Sequence, residues 1–74
     1  MYNPQLETFL RVADTGSFNK AAEQNYITPT AVIKQINLLE AELGIQLFVR
    51  THRGVRLTEA GQSLYKDSKY IIRY

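Results

Sequence analysis

Apolar positions recur along the chain at helical spacing as far as Leu43, and after Gly44 they switch to short β-compatible runs. The clearest stretch is Thr28 to Gly44. Val32, Ile36, Leu39 and Leu43 fall on one stripe of a helix, with Leu38 flanking it. Thr28 can cap the free N–H groups of the first turn. Pro29 suits the first helical position, where no N–H is needed, and Gly44 can end the helix in a left-handed conformation. The other side of the first turns carries Thr30, Ile33, Lys34 and Asn37: a hydroxyl, an apolar branch, a cation and an amide. A face of that kind can read the edges of base pairs.

Ahead of this helix, Leu6, Phe9, Leu10 and Ala13 predict a first helix opened by Asn3-Pro4. Val12 flanks its stripe, and Glu7, Arg11 and Asp14 are expected to face water. Asp14-Thr15-Gly16 breaks it. Ser17 is the cap of a short second helix that buries Phe18, Ala21 and Ala22, whose paired alanines allow another helix to come close. Asn25-Tyr26-Ile27 is the turn into Thr28, so the middle of the chain reads as a helix-turn-helix.

Beyond Gly44, Leu47-Phe48-Val49-Arg50 and Val55-Arg56-Leu57 flank the polar tip Thr51-His52-Arg53-Gly54, the pattern of a β-hairpin. The hairpin is expected to cover the core with Phe48 and Leu57 and to present its arginines on the opposite face. Arg53 at the tip can enter a minor groove, with Arg50 and Arg56 on the two arms. Thr58-Glu59 then opens a last helix, Thr58 as cap and Glu59 favourably placed against the dipole. Ala60, Leu64, Ser68 and Ile71 share one stripe, flanked by Tyr65 and Ile72. This helix runs to Tyr74 without a stop signal, longer than a core of this size needs, which points to a second subunit and to a fragment of a longer protein.

Composition narrows the class. A chain of 74 residues with 45% hydrophobic content is one small globular domain. It has no cysteine, hence no disulfide and no thiolate metal site, in keeping with a reducing compartment. No apolar run approaches the roughly 20 residues of a membrane span, and Met1-Tyr2-Asn3-Pro4 lacks the regions of a signal peptide, so a cytoplasmic protein with no membrane association is expected. The net charge is only +2, but three arginines and one histidine lie between Val49 and Arg56 with no acid among them. Such a cluster can neutralise phosphates, or form a plain solvated loop.

Taken together, these elements resemble the N-terminal DNA-binding domain of LysR-type bacterial transcriptional regulators. The residues that carry the resemblance are Leu6-Glu7-Thr8-Phe9-Leu10, Gly16-Ser17-Phe18, Ala21-Ala22, Thr28 to Glu40, Leu43-Gly44 and Leu47-Phe48. It continues through Arg50-Thr51, Arg53-Gly54-Val55 and Leu57-Thr58-Glu59-Ala60-Gly61. The resemblance implies a mainly α fold: a winged helix-turn-helix with a three-helix core and a β-hairpin wing over residues 1–57, then the start of a long linker and dimerisation helix over 58–74. It further implies binding to double-stranded operator or promoter DNA as a homodimer or homotetramer. A small-molecule effector would bind only through a C-terminal domain that this chain lacks. Carried over residue by residue, the resemblance puts base contacts on Thr28, Pro29, Thr30, Ile33 and Lys34 and the minor-groove arginine at Arg53; the mixed helix face adds Asn37, and the basic wing adds Arg50 and Thr51, to the expected DNA-binding set. Leu64, Tyr65, Ser68, Ile71 and Ile72 are the dimerisation set. The chain departs from the family pattern at Ile33, usually serine, at Lys34, usually arginine, and at Asn25, usually a core leucine whose packing Tyr26 could take over.

Several roles stay open on sequence grounds. Ile33 can pack on a thymine methyl or simply face outward, and Lys34 can meet guanine or phosphate or remain solvated. Tyr26 can be core or phosphate-binding. His52 stands alone, which leaves a phosphate contact or plain exposure and no metal site. A winged-helix module for protein–protein contact is the rival reading. An enzyme is the weakest, because no acid–base pair converges; no cofactor is expected.

Overall fold

The computed structural model describes residues 4–72, with side chains as far as Ser68. Its elements are α1 (Pro4–Thr15), α2 (Phe18–Asn25), α3 (Pro29–Leu43), β1 (Phe48–Thr51), β2 (Gly54–Leu57) and α4 (Glu59–Ile72). The three first helices pack on one another, β1 and β2 form an antiparallel hairpin, and α4 returns across α1. This is a winged helix-turn-helix, as expected. The cap expected at Asn3 lies outside the described residues.

The core sits where the three helices meet the base of the hairpin. Phe9 and Val12 of α1, Ala21 of α2, Val32 of α3 and Leu47 ahead of β1 are fully enclosed. Each large apolar side chain so buried stabilises the fold by roughly 1.5–3 kcal/mol. Phe48 joins the layers, its ring 5.3 Å from that of Phe9 and 6.4 Å, edge-on, from that of Phe18. Two expectations about depth change. Val12 is at the centre of the core, while Leu6 and Ala13 of the expected stripe are only partly buried. Leu43 lies on the apolar side of α3 yet is 46% exposed, because the last turn of α3 projects past the end of the core.

Register corrects the hairpin as well. Phe48 pairs with Leu57, Val49 with Arg56, Arg50 with Val55 and Thr51 with Gly54. Alternation then places Arg50 on the same face as Phe48, not on the opposite one. Its guanidinium sits 5.3 Å from the centre of the Phe18 ring, where a cation is held by the ring's negative face. Arg56 is the arm arginine that faces away.

Each described helix that leads into a turn ends on a left-handed residue. Gly16 (φ 68°) closes α1, Tyr26 (φ 57°) closes α2 and Gly44 (φ 68°) closes α3. At α2 the N–H of Ile27 donates to Ala22 O (3.1 Å) and that of Tyr26 to Glu23 O (3.3 Å), the paired bonds of a Schellman motif. Gly44 and Ile45 both donate to Glu40 O at the end of α3. Glycine adopts this conformation freely, whereas a side chain there costs roughly 1 kcal/mol.

At the family's leucine position, Asn25 is half-buried and hydrogen-bonded. Its amide donates to Thr8 Oγ1 (3.5 Å), and the Thr8 hydroxyl, itself buried, donates to Gln35 Oε1. A polar chain across all three helices therefore stands where apolar packing was expected. Tyr26 takes no share in it, being 95% exposed.

Candidate nucleic-acid interface

Helix α3 is held on both flanks. Gln35, on the side toward α1, accepts the Thr8 hydroxyl. Glu40, on the side toward the hairpin, accepts the backbone N–H groups of Leu47 (2.7 Å) and Phe48 (3.3 Å) with one carboxylate oxygen. Residues 35 and 40 lie about 140° apart around a helix, so these bonds fix its rotation as well as its position. Neither residue belongs to the set expected from the sequence. Glu40 did carry a signal: an acid near a helix C-terminus opposes the macrodipole and calls for a compensating partner. No basic residue occupies the last turn of α3.

With its flanks held, α3 presents Thr30, Lys34 and Asn37 outward, all exposed and on one side of the helix. Thr28 at the head of this row accepts from Ala31 N (3.1 Å) as the N-cap, and Pro29 occupies the first turn. Ile33 differs from its neighbours in the row. It is half-buried and lines a cleft between α2 and the hairpin together with Ser17, Phe18, Asn19, Arg50 and Val55. Ser17 in this lining is the N-cap of α2, accepting from Lys20 N (3.2 Å), and the exposed Asn19 beside it is a polar group with no role in the expected set.

The hairpin tip is built by Thr51. Its hydroxyl donates to Gly54 O (3.1 Å) and accepts from Arg53 N (3.2 Å), so this side chain shapes the turn that holds up Arg53. Arg53 and His52 are exposed at the tip. The hairpin is tied to the body at both ends. Val55 N donates to Gly16 O (3.1 Å) at the α1–α2 turn. At the other end Thr58 N donates to Leu47 O (2.9 Å), the Thr58 hydroxyl donates to Gln46 O (2.6 Å), and Gly61 N donates to Thr58 Oγ1 (3.0 Å) as the cap of α4. Gly61 is there because a Cβ would stand 2.3 Å from Leu47 O.

The dimerisation set turns inward over its described part. Leu64 and Tyr65 are half-buried against the core, and Tyr65 donates its hydroxyl to the Asp14 carboxylate. Ser68 is 1% exposed within its own chain, which corrects its expected position on a partner-facing surface. The physical reason is that the stripe of α4 packs on α1. The side chains of Ile71 and Ile72 lie outside the described residues. Among the described residues no group of acids and histidines could hold a metal ion, and no helix is long and apolar enough to cross a membrane.

A helix-turn-helix with a basic-tipped wing defines a class of domain; comparison with known proteins defines the family. Residues 4–62 match the profile of the bacterial regulatory helix-turn-helix proteins of the lysR family, and the chain belongs to that family. It is 41% identical over 69 residues to the probable HTH-type transcriptional regulator LtrA of Klebsiella pneumoniae, covering 93% of this chain and 22% of that protein. It is 47% identical over 70 residues to the HTH-type transcriptional activator AllS of Salmonella typhimurium, covering 93% of this chain and 23% of that one. The chain thus spans less than a quarter of the length of these relatives, which are regulators and not enzymes. Among solved structures it is similar to the DNA-binding domain of CbnR in complex with DNA, with TM-score 0.91 and 36% identity over 99% of this chain and 84% of that one. It is equally similar to the BenM DNA-binding domain on benA site 1 DNA, with TM-score 0.92 and 36% identity over 99% and 82%.

Proposed function

We propose that this domain binds double-stranded DNA sequence-specifically as the DNA-reading part of a LysR-type transcription regulator, with α3 in the major groove and the wing at the minor groove. The observation that carries the reading is the exposed row of Thr30, Lys34 and Asn37 on a helix bonded along both flanks. Its support is the likeness to two domains solved with DNA. Thr28 and Pro29 bring the N-terminal end of α3, with its positive dipole, to the phosphates. Lys34 adds a point charge for guanine or phosphate, and Arg53 reaches the minor groove from a tip shaped by Thr51. Arg50, braced on Phe18, meets the backbone between the two grooves. Ile33 offers its branch to a thymine methyl at the edge of its cleft.

The domain works in the cytoplasm as a dimer or higher oligomer that duplicates this surface over two half-sites. With Ser68 inside the chain, the partner contact falls to the later part of the linker helix, including Ile71 and Ile72. An effector would act through the remainder of the full-length regulator. Selection from a random duplex pool, followed by binding at increasing salt, tests the reading: a recurring sequence and a steep loss of affinity with salt are expected. Lys34→Ala should weaken binding to the selected site and reduce the salt slope by about one unit if the lysine meets a phosphate. Unchanged affinity would take Lys34 out of the interface.

A further inference from the structure

Tyr26 is the only residue other than glycine with positive φ among the described residues, and it is 95% exposed. The chain provides its own controls. At the ends of α1 and α3 the same left-handed position is filled by Gly16 and Gly44. Only the turn that leads into α3 uses a large side chain there. Packing does not explain the choice, since the ring buries almost nothing. Hydrogen bonding within the chain does not explain it either, because the side-chain hydroxyl of Tyr26 bonds no described residue, while its backbone N–H already serves the helix end. A strained, solvated aromatic residue kept at such a place is the signature of an external contact.

Its position names the contact. Tyr26 stands two residues before Thr28, the cap of α3, beyond the end of the row Thr30, Lys34 and Asn37. When that row faces a major groove, the turn ahead of it meets the sugar–phosphate strand bordering the groove. A phenol there can donate one hydrogen bond to a phosphate oxygen without carrying charge. We infer that Tyr26 is a DNA-positioning residue whose hydroxyl donates to a backbone phosphate at the rim of the major groove. The left-handed turn aims the side chain outward, and the strain is tolerated for that aim. This inference rests on the DNA-binding reading above.

Two variants test it in the intact chain on its selected duplex. Tyr26→Phe keeps the ring and loses the donor, and should bind about five- to tenfold more weakly. The salt slope should not change, because a neutral donor releases no counterion. Tyr26→Gly should lose at least as much affinity while its thermal unfolding midpoint rises by about 4 °C, since the strain is relieved. Full affinity in Tyr26→Phe overturns the inference, and so does a lowered midpoint in Tyr26→Gly, which would make the ring a structural element. The unaltered chain separates the two levels. If it shows no salt-sensitive duplex binding, the DNA-binding reading itself fails; if it binds and Tyr26→Phe matches it, only the role of Tyr26 fails.

Discussion

The two sides of α3 are built on opposite terms. Toward the body of the domain, Val32, Ile36 and Leu39 are buried, Gln35 accepts from Thr8, and Glu40 receives two amides from the start of the wing. Toward solvent, Thr30, Lys34 and Asn37 are exposed. The inner side determines where the helix is, and the outer side is left to determine what it meets. A change inward should therefore be read in stability. An outward change should be read in binding, with stability altered by less than about 0.5 kcal/mol.

The largest effect should come where the wing and α4 are locked to the body. Gly61→Ala forces a Cβ against Leu47 O and should cost about 3 kcal/mol, lowering the unfolding midpoint by roughly 12 °C or more. A midpoint close to that of the unaltered domain would mean that α4 can shift away from Leu47, and that the body is looser than the contrast requires. Next comes Glu40→Ala. It leaves the amides of Leu47 and Phe48 without their acceptor and should cost about 2 kcal/mol in urea unfolding. Glu40→Gln retains an amide oxygen and should recover part of the loss. Equal losses in the two variants would assign the effect to charge, not to the hydrogen bonds.

Ile33→Ser probes the boundary between the two sides, because Ile33 is half-buried yet borders the outer row. Its stability loss should be smaller, about 1 kcal/mol, from apolar surface shared with Phe18 and Val55. Its binding effect should be a change of base preference more than of overall affinity. Identical sites selected by both proteins from random duplexes would remove the thymine-methyl contact and leave Ile33 as packing alone.

Much of this arrangement could be read along the chain, and the parts that could not share a physical cause. Capping is local chemistry. Thr28, Pro29, Gly44 and Thr58 announce helix ends because the groups they serve lie within four residues, and the structure has them in those roles. Periodicity likewise names the face of a helix. It does not give depth: periodicity puts Val12 at the edge of the core and Leu43 inside it, and packing reverses both. Strand alternation needs a register before it assigns faces, and the pairing of Phe48 with Leu57 moved Arg50 to the inner side. Along the chain the stripe of Ser68 is continuous with Ile71, which points it toward a partner. Which neighbour covers a stripe is a property of the packed chain.

The order and kind of the elements, the helix ends, the basic tip at Arg53 and the mixed face of Thr30, Lys34 and Asn37 are all legible along the chain. All of these depend on interactions between residues close along the chain. How that face is held follows from the packed domain. The bonds from Thr8 to Gln35 and from Leu47 and Phe48 to Glu40, the seat of Arg50 on Phe18 and the solvated Tyr26 at a left-handed helix end arise from residues that belong to different elements or from packing that is missing. Local rules fix spacing and capping, whereas rotation, depth and exposure depend on what the rest of the chain places alongside.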